Sequence, residues 1–393
     1  MAIADSFFVF GRDSNQLLIP LIGKTVQGML EKLPASGEVE IEVSEWFQEV
    51  TEYAITRTAL GRSYDDGKDV FQLQTKQMVF AAEAFRKKNT MSWKLDKEIR
   101  RGLTALIRRR KESSNDEKPG GRHEKDLLRL MINASASSPG GITTGDMVEE
   151  CKTFFFAGKQ TTSNLLTWAT VLLAMHPEWQ ERARAEVLQV CGSRNIPTRD
   201  HLAELKTVRR LFSPPDVLTF SSSFVLVIIP FSLSPKISQL GLILNETLRL
   251  YPPAVATIRR AKADVEIGDY RIPRGTDLLI PIIAVHHDER LWGPDVARFD
   301  PGRFAEGVSR AALRPTAFIP FGLGGRTCVG QNLALLVARL TLAIILQRSS
   351  FRLSPAYVHA PTVLMLLYPQ YGAPILFRPL PSQPSPQSCH NIS

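Results

Sequence analysis

The pattern of apolar and polar positions predicts a chain that is mostly helical. Most of the first 110 residues show the apolar spacing of amphipathic helices, with little strand alternation. From Thr144 to the His176–Pro177 stop the chain is apolar on nearly all sides, which predicts a buried central helix capped by Thr144. The next segment, PEWQERARAEVLQVCG, starts with proline and ends with glycine, as helices commonly do.

The pattern changes after Leu250. Pro252 and Pro253 interrupt the helix, and VEIGDYRIPRGTDLLIPII then alternates and turns like a small β-sheet. A strongly apolar helix follows over QNLALLVARLTLAIILQR. The predicted fold class is therefore mainly α with a small β region. We expect one domain over residues 1–379, and a disordered tail over residues 380–393, which are rich in proline and serine.

Composition and charge narrow the class of protein. Of 393 residues, 44% are hydrophobic and 22% charged, which is typical of a globular protein. The net charge of +9 suits nucleic acid, an anionic membrane or an acidic protein, but no basic stripe with interleaved aromatics supports nucleic acid. Four scattered cysteines favour a reduced, intracellular setting over a disulfide framework. The N-terminal segment reads as neither a signal peptide nor a membrane anchor.

One cysteine lies in an unusually glycine-rich stretch, FGLGGRTCVG, from Phe321 to Gly330. The glycines allow the backbone to bend sharply and to approach a flat ligand. A lone protein thiolate at Cys328 suits haem iron, and Arg326 can pair with a haem propionate. The N–H groups of the following helix should point toward the sulfur and favour the thiolate. The alternative interpretation is a buried cysteine in a tight turn.

A second motif, NETLRLYPP, places two opposite charges on one helix face. Glu246 and Arg249 are three residues apart, and their neighbours are apolar, which predicts a buried ion pair. Because a buried pair needs further partners, Arg303 in FDPGRF is a candidate third member. The alternative is a surface ion pair, which contributes little to stability.

The third motif, AGKQTT, lies within the long central helix. Gly158 lowers helix stability there and leaves room for a cofactor or substrate. Thr161 can donate a hydrogen bond to the preceding turn, or to an inserted water that opens the helix locally. The alternative is a glycine that allows helix packing, with an ordinary threonine beside it.

Together and in this order, the three motifs resemble the cytochrome P450 family of haem-thiolate monooxygenases, over nearly all of residues 1–378. The resemblance implies haem b as cofactor, with Cys328 as the axial ligand of its iron. It implies catalytic roles for Gly158, Gln160 and Thr161, of which Thr161 helps to deliver protons to iron-bound oxygen. Family members usually have an acidic residue where this chain has Gln160, and glutamine cannot relay a proton by ionising.

The same resemblance assigns the other site residues. Those that bind the cofactor are Phe321, Gly324, Arg326, Cys328, Gly330 and Arg259, of which Arg259 holds a propionate. The structural triad behind the haem is Glu246, Arg249 and Arg303. The predicted pocket wall comprises Phe156, Ala157, Val255, Ala256, Val363 and Leu364.

Three segments are similar to one branch of the family in particular. FFFAGKQTTSNLLTW, IIAVHHDERLWG and HAPTVLMLLYPQYGAP resemble plant steroid hydroxylases that inactivate brassinosteroids by hydroxylating the side chain at C-26. This implies a monomer that uses O₂ and electrons from an NADPH-cytochrome reductase, with the full-length protein at the cytosolic face of the endoplasmic reticulum membrane. The alternatives are another hydrophobic substrate, such as a fatty acid, gibberellin or cytokinin, and a truncated, non-catalytic product that binds haem weakly.

Three features depart from the family pattern. Family members lack Val208–Gln239, a Ser- and Pro-rich stretch that fits an unspliced intron read in frame; peptide mass spectrometry across Thr207 and Leu240 tests this hypothesis. The chain begins where family members already have a membrane anchor and several helices, including the tryptophan and arginine of a propionate-binding helix. FRKKNTMSW, Phe85 to Trp93, lacks a stretch that roofs the substrate pocket in relatives.

Overall fold

The computed structural model describes residues 15–34, 36–61, 64–84, 90–115, 126–136, 142–205 and 238–381. Its helices are α1 Asn15–Leu30, α2 Val43–Leu60, α3 Tyr64–Ala84, α4 Thr90–Asn115, α5 Leu127–Ala136, α6 Thr144–Met175, α7 Pro177–Cys191, α8 Arg199–Glu204, α9 Gln239–Leu250, α10 Ile282–His286, α11 Glu289–Trp292 and α12 Gln331–Arg348. Its strands are β1 Val39–Glu42, β2 Thr257–Arg260, β3 Val265–Ile267, β4 Tyr270–Ile272, β5 Asp277–Ile280, β6 Ser349–Leu353, β7 Pro361–Val363, β8 Leu367–Pro369 and β9 Pro374–Pro379. The predicted fold class, mainly helical with a small β region, is confirmed.

The N-terminal cap of the central helix α6 is Thr143, and Thr144 is the first helical residue. The Thr143 hydroxyl accepts the backbone N–H of Asp146 at 3.1 Å, and the Asp146 carboxylate accepts the N–H of Thr143 at 2.9 Å. This reciprocal capping requires a residue three positions before Asp146, so the prediction of Thr144 as the cap was wrong by one residue. The predicted burial is confirmed, because the half of α6 after Thr161 is almost entirely buried.

Helices α2 and α6 both contribute to the two largest clusters of buried apolar residues in the described part of the chain. The larger cluster joins α6 to α1, α7, α9 and α12, and it contains the fully buried Trp168. The smaller cluster joins the first half of α6 to α3, α4 and α5, with Ile55 and Phe155 among its members. Because α2 and α6 pack along much of their length, their crossing fixes the region around Gly158.

The described residues form four small sheets around the helices, and three of these sheets are two-stranded. Strands β1, β9 and β6 form an antiparallel sheet in that order, while β2 pairs with β5, β3 with β4, and β7 with β8. The predicted β region after Leu250 is confirmed as β3, β4 and β5. Strand β2 follows directly on the Pro252–Pro253 turn and pairs Thr257 with Ile280. Among the helices that the structure describes, none combines the length and the continuous apolar surface that a membrane-spanning helix requires.

Four sequence predictions fall wholly or partly outside the described residues. They are those for the N-terminal segment (1–14), most of the predicted insert (208–237), the first part of the shortened segment (85–89) and the tail from residue 382. The last two residues of the predicted insert are described and begin α9. The Ser238 hydroxyl accepts the N–H of Gly241 at 3.1 Å, and the Glu186 carboxylate accepts the N–H groups of Gln239 and Leu240 at 3.0 Å.

Candidate active site

A cavity of about 370 Å³ lies between helices α2 and α6, near the middle of each. Its other walls are the segment after α9 and the glycine–cysteine loop, which comprises Phe321 to Gly330. Its walls are mainly apolar, and its volume lies within the range of small-molecule sites. Half of the predicted site residues meet here, and Gly324 of the predicted cofactor-binding set is not part of the lining. Those that line the cavity are Ala157, Gly158, Thr161, Ala256, Arg259, Phe321, Arg326, Cys328 and Gly330.

The loop that carries Cys328 is held by its own backbone. The Cys328 N–H donates to the Phe321 carbonyl at 2.8 Å, so the loop closes on itself before α12 begins. Gly322 and Gly324 have φ angles of +73° and +70°, a conformation that side chains disfavour. Among the loop glycines, the predicted need for backbone freedom is therefore confirmed at these two positions, while Gly330 has an ordinary φ of −84°.

Burial and backbone dipoles act on the Cys328 sulfur in opposite directions. Partial desolvation by the surrounding protein atoms raises the pKa of the thiol, and the N–H groups of Gly330 and Gln331 lower it, with the net shift upward. The predicted orientation of these N–H groups is confirmed, but they do not make the sulfur a thiolate on their own. Cys328 is exposed to the open cavity, so a metal ion there can reach the sulfur and displace its proton.

Two arginines give the cavity a positive side. Arg259 donates to the Thr257 hydroxyl at 2.6 Å and to the Ile258 carbonyl at 2.9 Å. Among the residues that the structure describes, neither Arg259 nor Arg326 is paired with a carboxylate. Both can therefore pair with the carboxylates of a ligand. A sulfur ligand, two such arginines and apolar walls fit a haem with its propionates.

The ion pair predicted in NETLRLYPP is fully buried. Arg249 donates from Nε and Nη2 to the two Glu246 carboxylate oxygens, both at 2.8 Å. The Arg303 Nε lies 3.5 Å from Glu246 Oε1, and the N–H of Asp300 donates to the same oxygen at 3.0 Å. The structure thus brings the three predicted triad members together, with the backbone of Asp300 as a fourth partner.

The structure places Gly158 and Thr161 at the cavity, and Gln160 outside its lining. The Thr161 hydroxyl donates to the Ala157 carbonyl at 2.6 Å, which is the bond to the preceding turn. A Cβ on Gly158 would lie 2.6 Å from the Ile55 side chain, so the glycine makes room for α2. This observation favours the packing alternative for Gly158. The catalytic roles of all three residues stay predictions.

The pocket wall predicted from the sequence needs correction. Phe156, Val255, Val363 and Leu364 do not line the cavity, and the last two are 51% and 42% exposed. In α6 the cavity face repeats with the helical period, so residues three and four positions apart share it and Phe156 faces elsewhere. In the extended segment after α9, the residues on both sides of Val255 line the cavity, and Val255 itself does not. The lining residues that replace them are Phe154, Leu165, Ala254 and Thr257.

A buried lysine beside the cavity was not singled out from the sequence. The Lys159 ammonium lies 2.6 Å from Glu52 Oε2 and 2.8 Å from the Thr75 hydroxyl, and it lies over the Phe155 ring. These contacts join α6 to α2 and α3. The sequence did contain one indication of this contact, a single lysine in the apolar stretch FFFAGKQTT. Its partners Glu52 and Thr75 are distant in sequence, so they could not be identified from that stretch.

Adding a methyl group at Gly158 is expected to destabilise the protein. Gly158→Ala forces the Ile55 side chain to move, and overpacking of this kind costs about 1–3 kcal/mol, against a helix-propensity gain of about 1 kcal/mol. Urea denaturation measures the net loss. The matched control is Gly28→Ala in α1, where an added Cβ meets no atom within 4 Å, and a small gain in stability is expected. Equal effects of the two substitutions would contradict the packing role.

Comparison with known proteins identifies relatives along nearly the whole chain. The family model described as Cytochrome P450 matches residues 6–212 and 229–372. The chain is 61% identical to Cytochrome P450 734A6 of Oryza sativa subsp. japonica, over 98% of this chain and 70% of that protein. It is 54% identical to Cytochrome P450 734A1 of Arabidopsis thaliana, over 94% and 68% of the two chains. A solved cytochrome P450DA heme domain shares the fold, with a TM-score of 0.74 at 22% identity over 96% of this chain and 77% of that one.

Proposed function

Because this chain belongs to the cytochrome P450 family of monooxygenases, we propose that it inactivates a brassinosteroid by hydroxylating the side chain of that hormone. Family membership establishes the monooxygenase class and a haem-thiolate cofactor. The steroid substrate is supported by the resemblance of three segments to plant steroid hydroxylases, and by the high identity to the 734A relatives. The mainly apolar cavity supports a hydrophobic substrate of this kind.

One observation carries the assignment of the site: Cys328, Arg259 and Arg326 face one apolar cavity. We assign the iron to the Cys328 sulfur and the propionates to the two arginines. When bound, the haem activates O₂ with electrons from a reductase, and the sulfur's electron density favours cleavage of the O–O bond. The chain itself binds and orients the substrate and excludes water from the reacting carbon.

Thr161 is one of the hydroxyl-bearing residues of α6 that line this cavity, and the one that the family resemblance assigns to proton delivery. Its hydroxyl hydrogen is engaged by the Ala157 carbonyl, which leaves its oxygen lone pairs available to accept a bond from water. Rotation of the hydroxyl would free the hydrogen for a partner in the cavity. Gln160 can hold a water molecule but cannot ionise, so we assign it no proton of its own.

The electron donor is the second part of the proposal. The family implies a reductase, and we propose an NADPH-cytochrome reductase that docks on this chain through an acidic surface, because the net charge here is +9. By the same resemblance, we place the protein at the cytosolic face of the endoplasmic reticulum membrane. A fatty acid, gibberellin or cytokinin is the alternative substrate class.

Product analysis with matched cavity variants tests the substrate proposal. Ala256→Phe adds a ring to the cavity wall, and it is expected to lower kcat/KM toward the steroid on the order of tenfold and to shift the hydroxylated carbon. Val363→Phe adds the same ring at an exposed position outside the lining, and products should not change. The assay uses brassinosteroids beside a fatty acid, a gibberellin and a cytokinin. Turnover of one of the latter three, with none of the steroid, would overturn the substrate proposal.

A further inference from the structure

A fully buried histidine, His286, lies between the Glu246–Arg249 ion pair and the loop that carries Cys328. It is the last residue of α10, and its backbone carbonyl accepts a hydrogen bond from Arg249 Nη1 at 3.2 Å. Arg249 is itself fixed by both oxygens of Glu246. The backbone of His286 is therefore attached to the most deeply buried ion pair of the site.

The imidazole ring of His286 faces the other way, toward the loop. Its Nε2 accepts the backbone N–H of Ile319 at 3.0 Å, and the ring stacks on Phe318 with centroids 5.5 Å apart and planes at 23°. An accepting Nε2 requires the neutral tautomer with the hydrogen on Nδ1. Burial supports that state, because it lowers the pKa of His286 to about 4.

Two more hydrogen bonds continue from Ile319 to the sulfur-bearing residue. The Ile319 carbonyl accepts the N–H of Gly322 at 3.0 Å, and the Phe321 carbonyl accepts the N–H of Cys328 at 2.8 Å. The segment between them is the start of the glycine–cysteine loop. The Gly322 N–H and the Phe321 carbonyl belong to the same peptide unit, so a shift of Ile319 would move the acceptor that holds the Cys328 N–H.

We propose that His286 is a positioning residue, which couples the Glu246–Arg249 pair to the cysteine loop and so sets the approach of the Cys328 sulfur to the iron. This rests on the proposed function in one respect, the assignment of Cys328 as the iron ligand. The role differs from simple packing, because it needs an acceptor atom at the position of Nε2. A leucine can fill part of the space but leaves the partly buried Ile319 N–H without this partner, whereas the Oε1 of a glutamine can accept it.

Hydrogen exchange in the haem-free chain tests the contact without any dependence on haem. In His286→Leu, the amides of Ile319 and Cys328 are expected to exchange about tenfold faster, which corresponds to the loss of one hydrogen bond. Amides in the centre of α12 should keep their rates. His286→Gln should restore most of the protection. The matched control is His287→Leu, because the His287 ring donates to the Leu250 carbonyl rather than accepting from the Ile319 N–H.

The haem-bound protein gives the second measurement. His286→Leu is expected to reduce the share of haem with the red-shifted Soret band of a thiolate ligand in the reduced, carbon monoxide-bound state, and to shift the reduction potential. His286→Gln and His287→Leu should stay close to the unmodified chain. The proposal is overturned if amides throughout the protein accelerate together, if glutamine rescues nothing, or if the thiolate band is unchanged in the leucine variant. A chain that binds no haem at all would refute the proposed function, and the exchange data would still decide the loop contact.

Discussion

Replacing Arg249 with leucine is expected to lower the free energy of unfolding by about 3–5 kcal/mol, because it leaves a buried carboxylate without its main partner. Both side chains of the pair are fully buried, and Arg249 supplies two of the hydrogen bonds to Glu246. The remaining partners, Arg303 at 3.5 Å and the Asp300 N–H, do not replace that bidentate contact. Urea denaturation of the haem-free chain measures the loss directly.

An exposed ion pair of the same chemistry provides the control for Arg249. Arg260 makes a bidentate contact with Asp277, but the two side chains are 70% and 52% exposed. Arg260→Leu should therefore cost less than about 1 kcal/mol. Arg249→Lys should still be destabilising, because an ammonium cannot reproduce the two parallel bonds of a guanidinium. Similar small losses for Arg249→Leu and Arg260→Leu would show that burial of the Glu246 pair does not matter.

Replacing Glu52 with leucine is expected to cost about 3 kcal/mol, because it leaves the Lys159 ammonium buried without a carboxylate. The Lys159 side chain is only 2% exposed, and after the substitution its remaining hydrogen-bond partner is the Thr75 hydroxyl. The loss should lie at the lower end of the range for buried pairs, since Glu52 itself is 25% exposed. Urea denaturation again supplies the measurement.

A double-mutant cycle separates the ion pair from the packing around it. Lys159→Met removes the charge and keeps most of the length of the side chain, so the double variant Glu52→Leu/Lys159→Met should recover much of the stability lost in Glu52→Leu. A coupling free energy of at least about 1 kcal/mol between the two sites is expected. Strictly additive losses would mean that the 2.6 Å contact contributes nothing of its own.

The elements with a continuous local pattern were predictable from the sequence. The apolar runs of α6 and α12 specify long buried helices, and the proline and glycine of α7 mark its ends. The glycine–cysteine loop and the Glu246–Arg249 spacing pointed to one site because each carries its chemistry within a few residues. The cap of α6 was misplaced by one residue because two threonines stand side by side, and Asp146 decides between them.

The parts that depend on distant partners could not be predicted in the same way. Nothing local to Gly158 indicates that Ile55 occupies its space, and nothing local to Lys159 names Glu52. The bond from Ile319 to His286 likewise exists only after the chain has folded. In contrast, the residues of α6 that face the cavity could have been predicted from the sequence. The helical period places Phe154, Ala157 and Thr161 on one face of α6 and Phe156 on another.

The central claim is that the loop from Phe321 to Gly330 presents the Cys328 sulfur to haem iron. The most direct test is the absorption spectrum of the reduced, carbon monoxide-bound protein, recorded for the chain and for Cys328→Ala. We predict a strongly red-shifted Soret band that is absent from the variant, because this band reports a thiolate ligand on the iron. A chain that binds haem without this band, or a Cys328→Ala variant that retains it, would contradict the account.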